Sequence, residues 1–550
     1  MKVLIMELYS KGHNITVIRS SDSMYIKEES PYYKFITVDV GAFDDDFFAK
    51  FVSHLLQAQQ HQRSSWGKIM IGIEVFKRFS EIHEKICNMT AMIFENETLI
   101  KSLQQAKFDM VLADPAMGGG VLLAHKLGLP LVFNVRWTML GEGHFAIAPS
   151  PLSYVPVPGA ELTDKMTFIQ RLINVLSYFI TYYQQAKHFG QPYKAFCQKY
   201  FGPDVDYFSI LQNADIWLMR NDFTFEYPRP TMPNVVYMGG FQCKPSKPLP
   251  DDIEKFVQSS GKHGVIIMSL GSLFGEFGVD IADEIAAAFA QLPQKVIWRH
   301  TGPRPSTLGN NTLLVDWMPQ NDLLGHTKTK VFVAHGGTNG IQEAIYHGVP
   351  ILGLPIAFDQ PDNLSRMRKK GAARVLDISA LDRSVFLEAL KEVLYNPSYK
   401  ENMQRLSRLH HDQPIKPLDR AVFWIEYVIR NGGLRSNEPV FIISSLLNPA
   451  NSSRRIVLIA CTCQTKQKMS GSGNRVMLVF GVALLLAVSA LNEPSINASD
   501  HIILTDYHGP PVTLQCNLTS SPFIQDESYW MKNGEEIKET RKELRATEYM

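Results

Sequence analysis

Between residues 331 and 340 an apolar run, Val331 to Ala334, ends abruptly in His335-Gly336-Gly337-Thr338-Asn339-Gly340 and passes into a helical pattern. The same rhythm runs through most of the chain. In the first half it is seen in the apolar runs 110–113 and 131–134, with Gly118-Gly119-Gly120 and a short helix ending near Gly128 between them. In the second half it recurs as strands at 265–270, 295–300, 331–334 and 349–354, with helical patterns at 280–291 and 339–347. Strands alternating with helices predict an α/β chain with parallel sheets covered on both faces. The Pro-rich stretch 244–252 reads as a linker. It divides a first domain, 1–243, from a second, 253–432, with a cleft expected between them.

The chain enters this pattern oddly. Residues 1–8 go straight into a helical pattern closed by Lys11-Gly12-His13, and a strand follows at 15–18. The strand that should feed this helix is missing, and no N-terminal targeting segment is visible. The stretch 168–185 is rich in aromatic and aliphatic residues and predicts a helix with a wide apolar face. Core packing is the expected use of that face; an apolar acceptor pocket or a membrane-facing surface is the functional alternative.

Composition excludes several classes. Lys plus Arg is 55 and Asp plus Glu is 54, a formal charge of +1, so a nucleic-acid binder held by phosphate contacts is not expected. Six cysteines in 550 residues, with no CxxC pair, exclude a disulfide scaffold and a structural zinc site. Asp44-Asp45-Asp46 and Asp251-Asp252 read as solvated acidic runs.

After Arg430 the rhythm stops, and residues 433–468 read as irregular. From Met469 a basic residue, an apolar run of 16 residues (476–491) and small residues follow in the order of a secretory signal peptide. The run is shorter than the ~20 residues that a membrane-spanning helix prefers. Residues 492–550 read as a partial immunoglobulin-like piece, with Cys516 followed fourteen residues later by Trp530 and no second Cys.

The chemistry concentrates between Trp317 and Gln360. Gly336 and Gly337 remove side chains where backbone must approach a ligand. The N–H groups of the helix start carry partial positive charge and suit a diphosphate. His335 and Asn339 can add hydrogen bonds to the same anion. Glu343, one turn after Asn339, can accept from both hydroxyls of a ribose. Trp317 offers a flat face for a base, with Gln320 beside it. Asp359 and Gln360 follow a strand at its carboxyl end, where ligands of doubly wound sheets gather, and suit a sugar's hydroxyls. Ser272, at the end of the strand 265–270, completes the set. Base, ribose, diphosphate and sugar each have a candidate partner, which describes a nucleotide-sugar.

These residues stand in motifs that resemble the UDP-glucuronosyltransferases of the UDP-glycosyltransferase family. The likeness runs through residues 317–326, 332–350, 359–363, 397–402 and 411–424, with 213–217 and 239–245 upstream, and covers about residues 1–430. The resemblance implies two Rossmann-like domains facing across a cleft, the GT-B arrangement, with the acceptor on the first and the UDP-sugar on the second. It implies transfer of glucuronic acid, or another sugar, from a UDP-sugar to a hydroxyl of a small lipophilic acceptor with inversion. It needs no metal and no cofactor beyond the UDP-sugar co-substrate; the helix start and His335 supply the charge stabilisation.

In the family the general base is a His in a Gly-Ser-His-Trp turn ahead of the first helix, and Met1 begins within that helix. The base is therefore expected to be missing from this chain, and Asp114 matches the residue that orients it. His13, His54, His61 and His125 do not occupy the turn and read as structural or surface residues. The family also implies the lumenal side of the endoplasmic reticulum membrane and room for a homo-oligomer; its single membrane span and short basic tail after the Trp424 region are not expected here, because the chain departs from the family just after Arg430. Sequons stand at Asn14, Asn88, Asn96, Asn310, Asn451, Asn497 and Asn517. From Met469 the chain resembles instead the start of neuroplastin and its basigin-family relatives. A joined or mis-predicted gene model is the expectation for the whole. The alternatives to an enzyme are a non-catalytic UDP-sugar-binding remnant and, last, an adhesion-type membrane protein.

Overall fold

The computed structural model describes residues 1–21, 29–38, 65–136, 138, 141–271 and 278–434, and, in the tail, 499–504, 512–517, 530–532 and 535–537. The predicted segments 433–468 and 469–491 lie, but for Gly433 and Leu434, outside the described residues. The chain divides into two compact units, Met1–Asn448 and Pro449–Met550.

The first unit is built on parallel sheets. Its first lobe opens with α1 (Lys2–Ser10), β1 (Thr16–Ser20), β2 (Lys34–Val38), α2 (Ser65–Glu95) and α3 (Glu97–Gln105). There follow β3 (Val111–Ala113), α4 (Gly119–Leu127), β4 (Leu131–Val135), α5 (Phe168–Gln184), α6 (Gly190–Tyr200), α7 (Tyr207–Gln212), β5 (Ile216–Met219) and β6 (Val235–Tyr237). Its strands form two hydrogen-bonded pieces, the pair β1-β2 and a four-stranded sheet in the order β3-β4-β5-β6.

The second lobe runs α8 (Asp251–Gln258), β7 (Val265–Ser269), α9 (Val279–Phe289), β8 (Lys295–Arg299), β9 (Thr312–Val315), α10 (Gln320–Leu324) and β10 (Thr329–Ala334). It continues with α11 (Thr338–His347), β11 (Ile351–Gly353), α12 (Gln360–Lys369), β12 (Ala373–Val375), α13 (Arg383–Tyr395) and α14 (Pro397–His411). The six strands lie in the order β12-β11-β10-β7-β8-β9, each pair parallel. Every residue of β7 is buried, and so is β10 except at Lys330. Such strands are apolar throughout because helices cover both faces. Trp298, Phe289 and Phe386 fill one face; Phe332, Ile341 and Leu364 belong to the core of the other. After β9 the chain returns to the other side of β7, so the strand order reverses between β7 and β10. The crevice at the carboxyl ends of these two strands is where such a sheet takes a ligand.

Three expectations change. The linker is shorter and docked: α8 begins at Asp251, and its first turn carries Asp251, Asp252 and Glu254, acids that complement the positive end of the helix. The Lys247 N–H donates to Asp322 Oδ1 at 3.0 Å, and Leu249 is buried. The helix α15 (Pro417–Asn431), which follows the second lobe in sequence, packs on the first. Its Ala421, Val422, Ile425 and Val428 join Leu4, Leu8, Val132, Ile216 and Leu218 in one core.

The third change is α5. It buries Asn174, Thr181 and Gln184, while Ile169, Ile173, Leu176, Phe179, Ile180 and Tyr183 are exposed. Core packing of its apolar face is therefore not what the fold uses. Asn174 explains the inversion: its Oδ1 accepts from the Val157 N–H at 2.7 Å, and its Nδ2 donates to the carbonyls of Leu152 and Val155, both at 2.9 Å. One buried amide satisfies three backbone groups of an irregular segment that would otherwise be buried without partners.

Among the described residues, no helix is long and apolar enough to cross a membrane. In the second unit, β13 (Ser499–Leu504) pairs antiparallel with β14 (Val512–Asn517), and β15 (Trp530–Lys532) with β16 (Glu535–Ile537).

Candidate active site

The loop leaving β10 is shaped by close approach. Gly336 has φ +92°, and a Cβ there would lie 2.6 Å from Leu364 Cγ and 3.0 Å from the Gln360 carbonyl oxygen. The His335 ring lies between two glycines: a Cβ on Gly271 or on Gly337 would come within 2.7 and 2.6 Å of it. This seats the imidazole at the switch point between β7 and β10. Burial pushes its pKa down to about 4, so at neutral pH it is an uncharged hydrogen-bonding group, not a cation. No side chain caps the start of α11, so its opening N–H groups keep their hydrogen-bonding capacity for a ligand.

One turn on, Gln320 Nε2 donates to Glu343 Oε2 at 2.6 Å, which joins two of the predicted residues directly. Burial raises the pKa of Glu343, and the Gln320 bond opposes that rise. Trp317 is 71% exposed, an open ring face beside this pair in the chain. At the far end, Asp359 Oδ2 accepts from Thr338 Oγ1 at 2.5 Å and from Asn363 Nδ2 at 2.7 Å. The preceding Phe358 sits at φ +61°, a left-handed setting that a bulky residue adopts only under constraint.

The Gln360 side-chain oxygen is already engaged. Its Oε1 accepts the N–H groups of Ile356 and Ala357 at 2.8 and 3.0 Å, and the residue is buried. Its acceptor thus braces the loop before α12, and what it can offer a sugar is the amide N–H. Ser272 lies outside the described residues.

The first lobe contributes a residue that the sequence did not single out. Arg220, just past the end of β5, donates through Nη2 to Asn339 Oδ1 at the start of α11. This turns the Asn339 amide N–H groups toward the role of donors. Arg220 Nε is buried with no hydrogen-bond partner. Burial lowers the Arg220 pKa to about 10, and the neighbouring carboxylates of Asp114 and Asp359 act to raise it, so the guanidinium stays charged at neutral pH. Asp114 itself accepts the Ala116 N–H at 3.1 Å and stands 3.5 Å from Arg136 Nη2; burial raises its pKa. His13 bonds to Glu426 at 3.2 Å and His125 meets the edge of Phe201, both away from this cluster. His54 and His61 lie outside the described residues. Among the described residues no group of three His, Cys, Asp or Glu is placed to hold a metal ion.

The family model described as UDP-glucoronosyl and UDP-glucosyl transferase matches residues 1–438. The chain belongs to that family. Curated relatives agree with the assignment: UDP-glucuronosyltransferase 2B1 of Rattus norvegicus is 46% identical over 443 residues, covering 79% of this chain and 83% of the relative. UDP-glucuronosyltransferase 2A2 of Homo sapiens is 43% identical over 444 residues, covering 79% and 82%. Among solved structures, the glycotransferase of kitacinnamycin aligns with TM-score 0.53 at 19% identity, covering 78% of this chain and 94% of its own. A UDP-glucosyltransferase from Polygonum tinctorium aligns with TM-score 0.51 at 14% identity, covering 78% and 95%. At such identities these structures carry the fold alone, and that fold is GT-B.

The protein is thus a glycosyltransferase, and family membership does not favour a non-catalytic remnant. In this glycosyltransferase the predicted residues His335, Gly336, Gly337, Asn339, Glu343, Gln320, Asp359 and Gln360 gather around α11. Asp114 reaches the cluster from the other lobe through the field of Arg220. Arg220 carried one sequence signal, a lone cation at the end of a fully buried strand. That position is common enough that only its meeting with Asn339 distinguishes it.

Proposed function

We propose that this glycosyltransferase moves glucuronic acid from UDP-glucuronate to a hydroxyl of a small lipophilic acceptor, with inversion at the anomeric carbon. Trp317 and Gln320 hold the base, Glu343 the ribose, and the start of α11 with neutral His335 the diphosphate. Asp359 and the Gln360 amide hold the sugar hydroxyls. No metal or further cofactor is needed, because the helix start and the neutral His335 offset the charge that develops on UDP as it leaves. By resemblance Asp114 stands where the family orients the histidine that takes the acceptor proton. By family resemblance the enzyme works at the lumenal face of the endoplasmic reticulum membrane.

One observation favours a uronate over a neutral hexose. The Arg220 guanidinium sits between Asn339 and the field of Asp359, with a buried Nε lacking a partner. A carboxylate on the sugar would accept that N–H, and a charge-assisted bond of this kind is among the strong ones. The test compares donors. Arg220→Met should lower single-turnover transfer from UDP-glucuronate about a hundredfold and from UDP-glucose less than about fivefold. Equal losses on both donors would remove the uronate assignment. UDP binding by the unchanged chain without transfer from either donor would leave a binding module.

A further inference from the structure

The segment leaving β5, residues 220–227, touches three helices of the second lobe. Arg220 holds Asn339 on α11. Asp222 Oδ2 meets His410 Nδ1 on α14 at 2.7 Å, both nearly fully buried. Glu226 Oε1 accepts from Arg366 Nε on α12 at 2.9 Å, with side chains 12% and 17% exposed.

From Arg366 the hydrogen bonds continue into the donor site. Arg366 Nη1 lies 3.5 Å from Asn363 Oδ1. Asn363 Nδ2 donates to Asp359 Oδ2 at 2.7 Å and to the Gly336 carbonyl at 3.1 Å. Glu226 is fixed at its own end by the Tyr227 N–H and Asn221 Nδ2, each at 2.9 Å. The Arg366 guanidinium lies over the rings of Phe225 and Tyr227. A second tie anchors the same helix: Asp362 accepts the N–H groups of Gly159 and Glu161 at 2.7 and 3.0 Å, and Ser365 Oγ donates to the Glu161 carbonyl at 2.9 Å. A buried ion pair is a weak source of stability, since desolvation offsets most of its attraction; what it does supply is a fixed geometry.

We propose that Glu226 and Arg366 are positioning residues for the transfer: through Asn363 they set the Asp359 carboxylate, so the donor sugar is gripped only with the first lobe docked on α12. The proposal rests on Asp359 contacting the sugar. UDP lacks the sugar, so it serves as the internal reference.

Calorimetric titration of the full chain with UDP and with UDP-glucuronate reads the effect directly. Glu226→Gln should weaken UDP-glucuronate about tenfold while UDP stays within about twofold, a scale set by misplacement and not by lost contact. The double variant Glu226→Met with Arg366→Met removes both charges together, so it should melt near the unchanged protein yet keep the donor defect. A double variant that binds UDP-glucuronate normally overturns the proposal, as do equal losses on both ligands. Asp359→Asn separates the two failures. If it leaves UDP-glucuronate binding unchanged, the sugar-site reading falls and takes this inference with it. If it weakens binding while the double variant binds normally, this inference alone falls.

Discussion

In the second lobe the candidate residues from Gln320 to Gln360 follow one another along the chain and meet around α11. In the first lobe the residues that reach the same cluster come from separate strand ends, Asp114 after β3 and Arg220 after β5. The lobes share a parallel α/β construction, yet only one is read continuously. The cause is the switch point. Adjacent strands β7 and β10 end there side by side, and β10 runs straight into the glycines, the imidazole and the helix start. The first lobe supplies single side chains at a distance, each placed by where its strand ends. A donor site can thus be a stretch of sequence, whereas the surface facing it is an outcome of assembly.

Acidification tests whether the lobes behave alike. Burial pushes His83 and His144 in the first lobe, and His335 and His347 in the second, down to about 4 from the ordinary 6.5. Above pH 6.5 both folded and unfolded forms are neutral and stability is flat. Between 6.5 and 4 the unfolded chain binds protons that the folded one refuses, so stability falls; below 4 the loss saturates. His83, His144 and His335 should each remove about 2 kcal/mol by pH 5, and the half-buried His347 less, because water screens it. Urea midpoints measured from pH 7.5 to 5 should drop steeply, and His83→Gln and His335→Gln should flatten the slope equally. A slope that only one of them changes would break the symmetry.

Gly336→Ala sharpens the contrast from the second lobe. It forces an L side chain to φ +92° and into Leu364 and the Gln360 carbonyl. The expected cost is about 3 kcal/mol in urea denaturation, with UDP binding lost. The matching first-lobe test is Asn174→Leu, which makes α5 more apolar yet strands the N–H of Val157 and the carbonyls of Leu152 and Val155. It should destabilise by about 2–3 kcal/mol; a neutral result would mean that water reaches those groups.

Smaller effects concern the ligand alone. Glu343→Ala and His335→Ala should each weaken UDP by about 1–3 kcal/mol in a titration, and unchanged affinity in both would remove the nucleotide site. Trp317→Ala should cost about 1 kcal/mol or less, because the ring is largely exposed and stacks on one side only.

Much of this architecture was legible beforehand, and the misses share a cause. Strands β4, β7, β8 and β10 were marked by apolar runs, and α11 by the glycines before it. The contact of Gln320 with Glu343 was not written in either motif, though both residues were named. The Asp-Gln pair suits a sugar's hydroxyls, and nothing in it says that Ile356 and Ala357 need the Gln360 oxygen. The apolar residues of α5 point to core, but its three buried polar side chains decide which way it faces. The α15 helix was assigned by sequence order to the lobe it leaves.

The amino-acid order alone determined a parallel α/β chain, the position of the glycine loop with the helix it opens, and the family, because each depends on local periodicity and on glycines at fixed spacing. Only the tertiary structure decided that Arg220 meets Asn339, that Glu226 meets Arg366 and that α5 turns its apolar face outward. Those outcomes depend on satisfying buried charges and backbone groups between segments as much as 140 residues apart, and no local pattern encodes such a pairing.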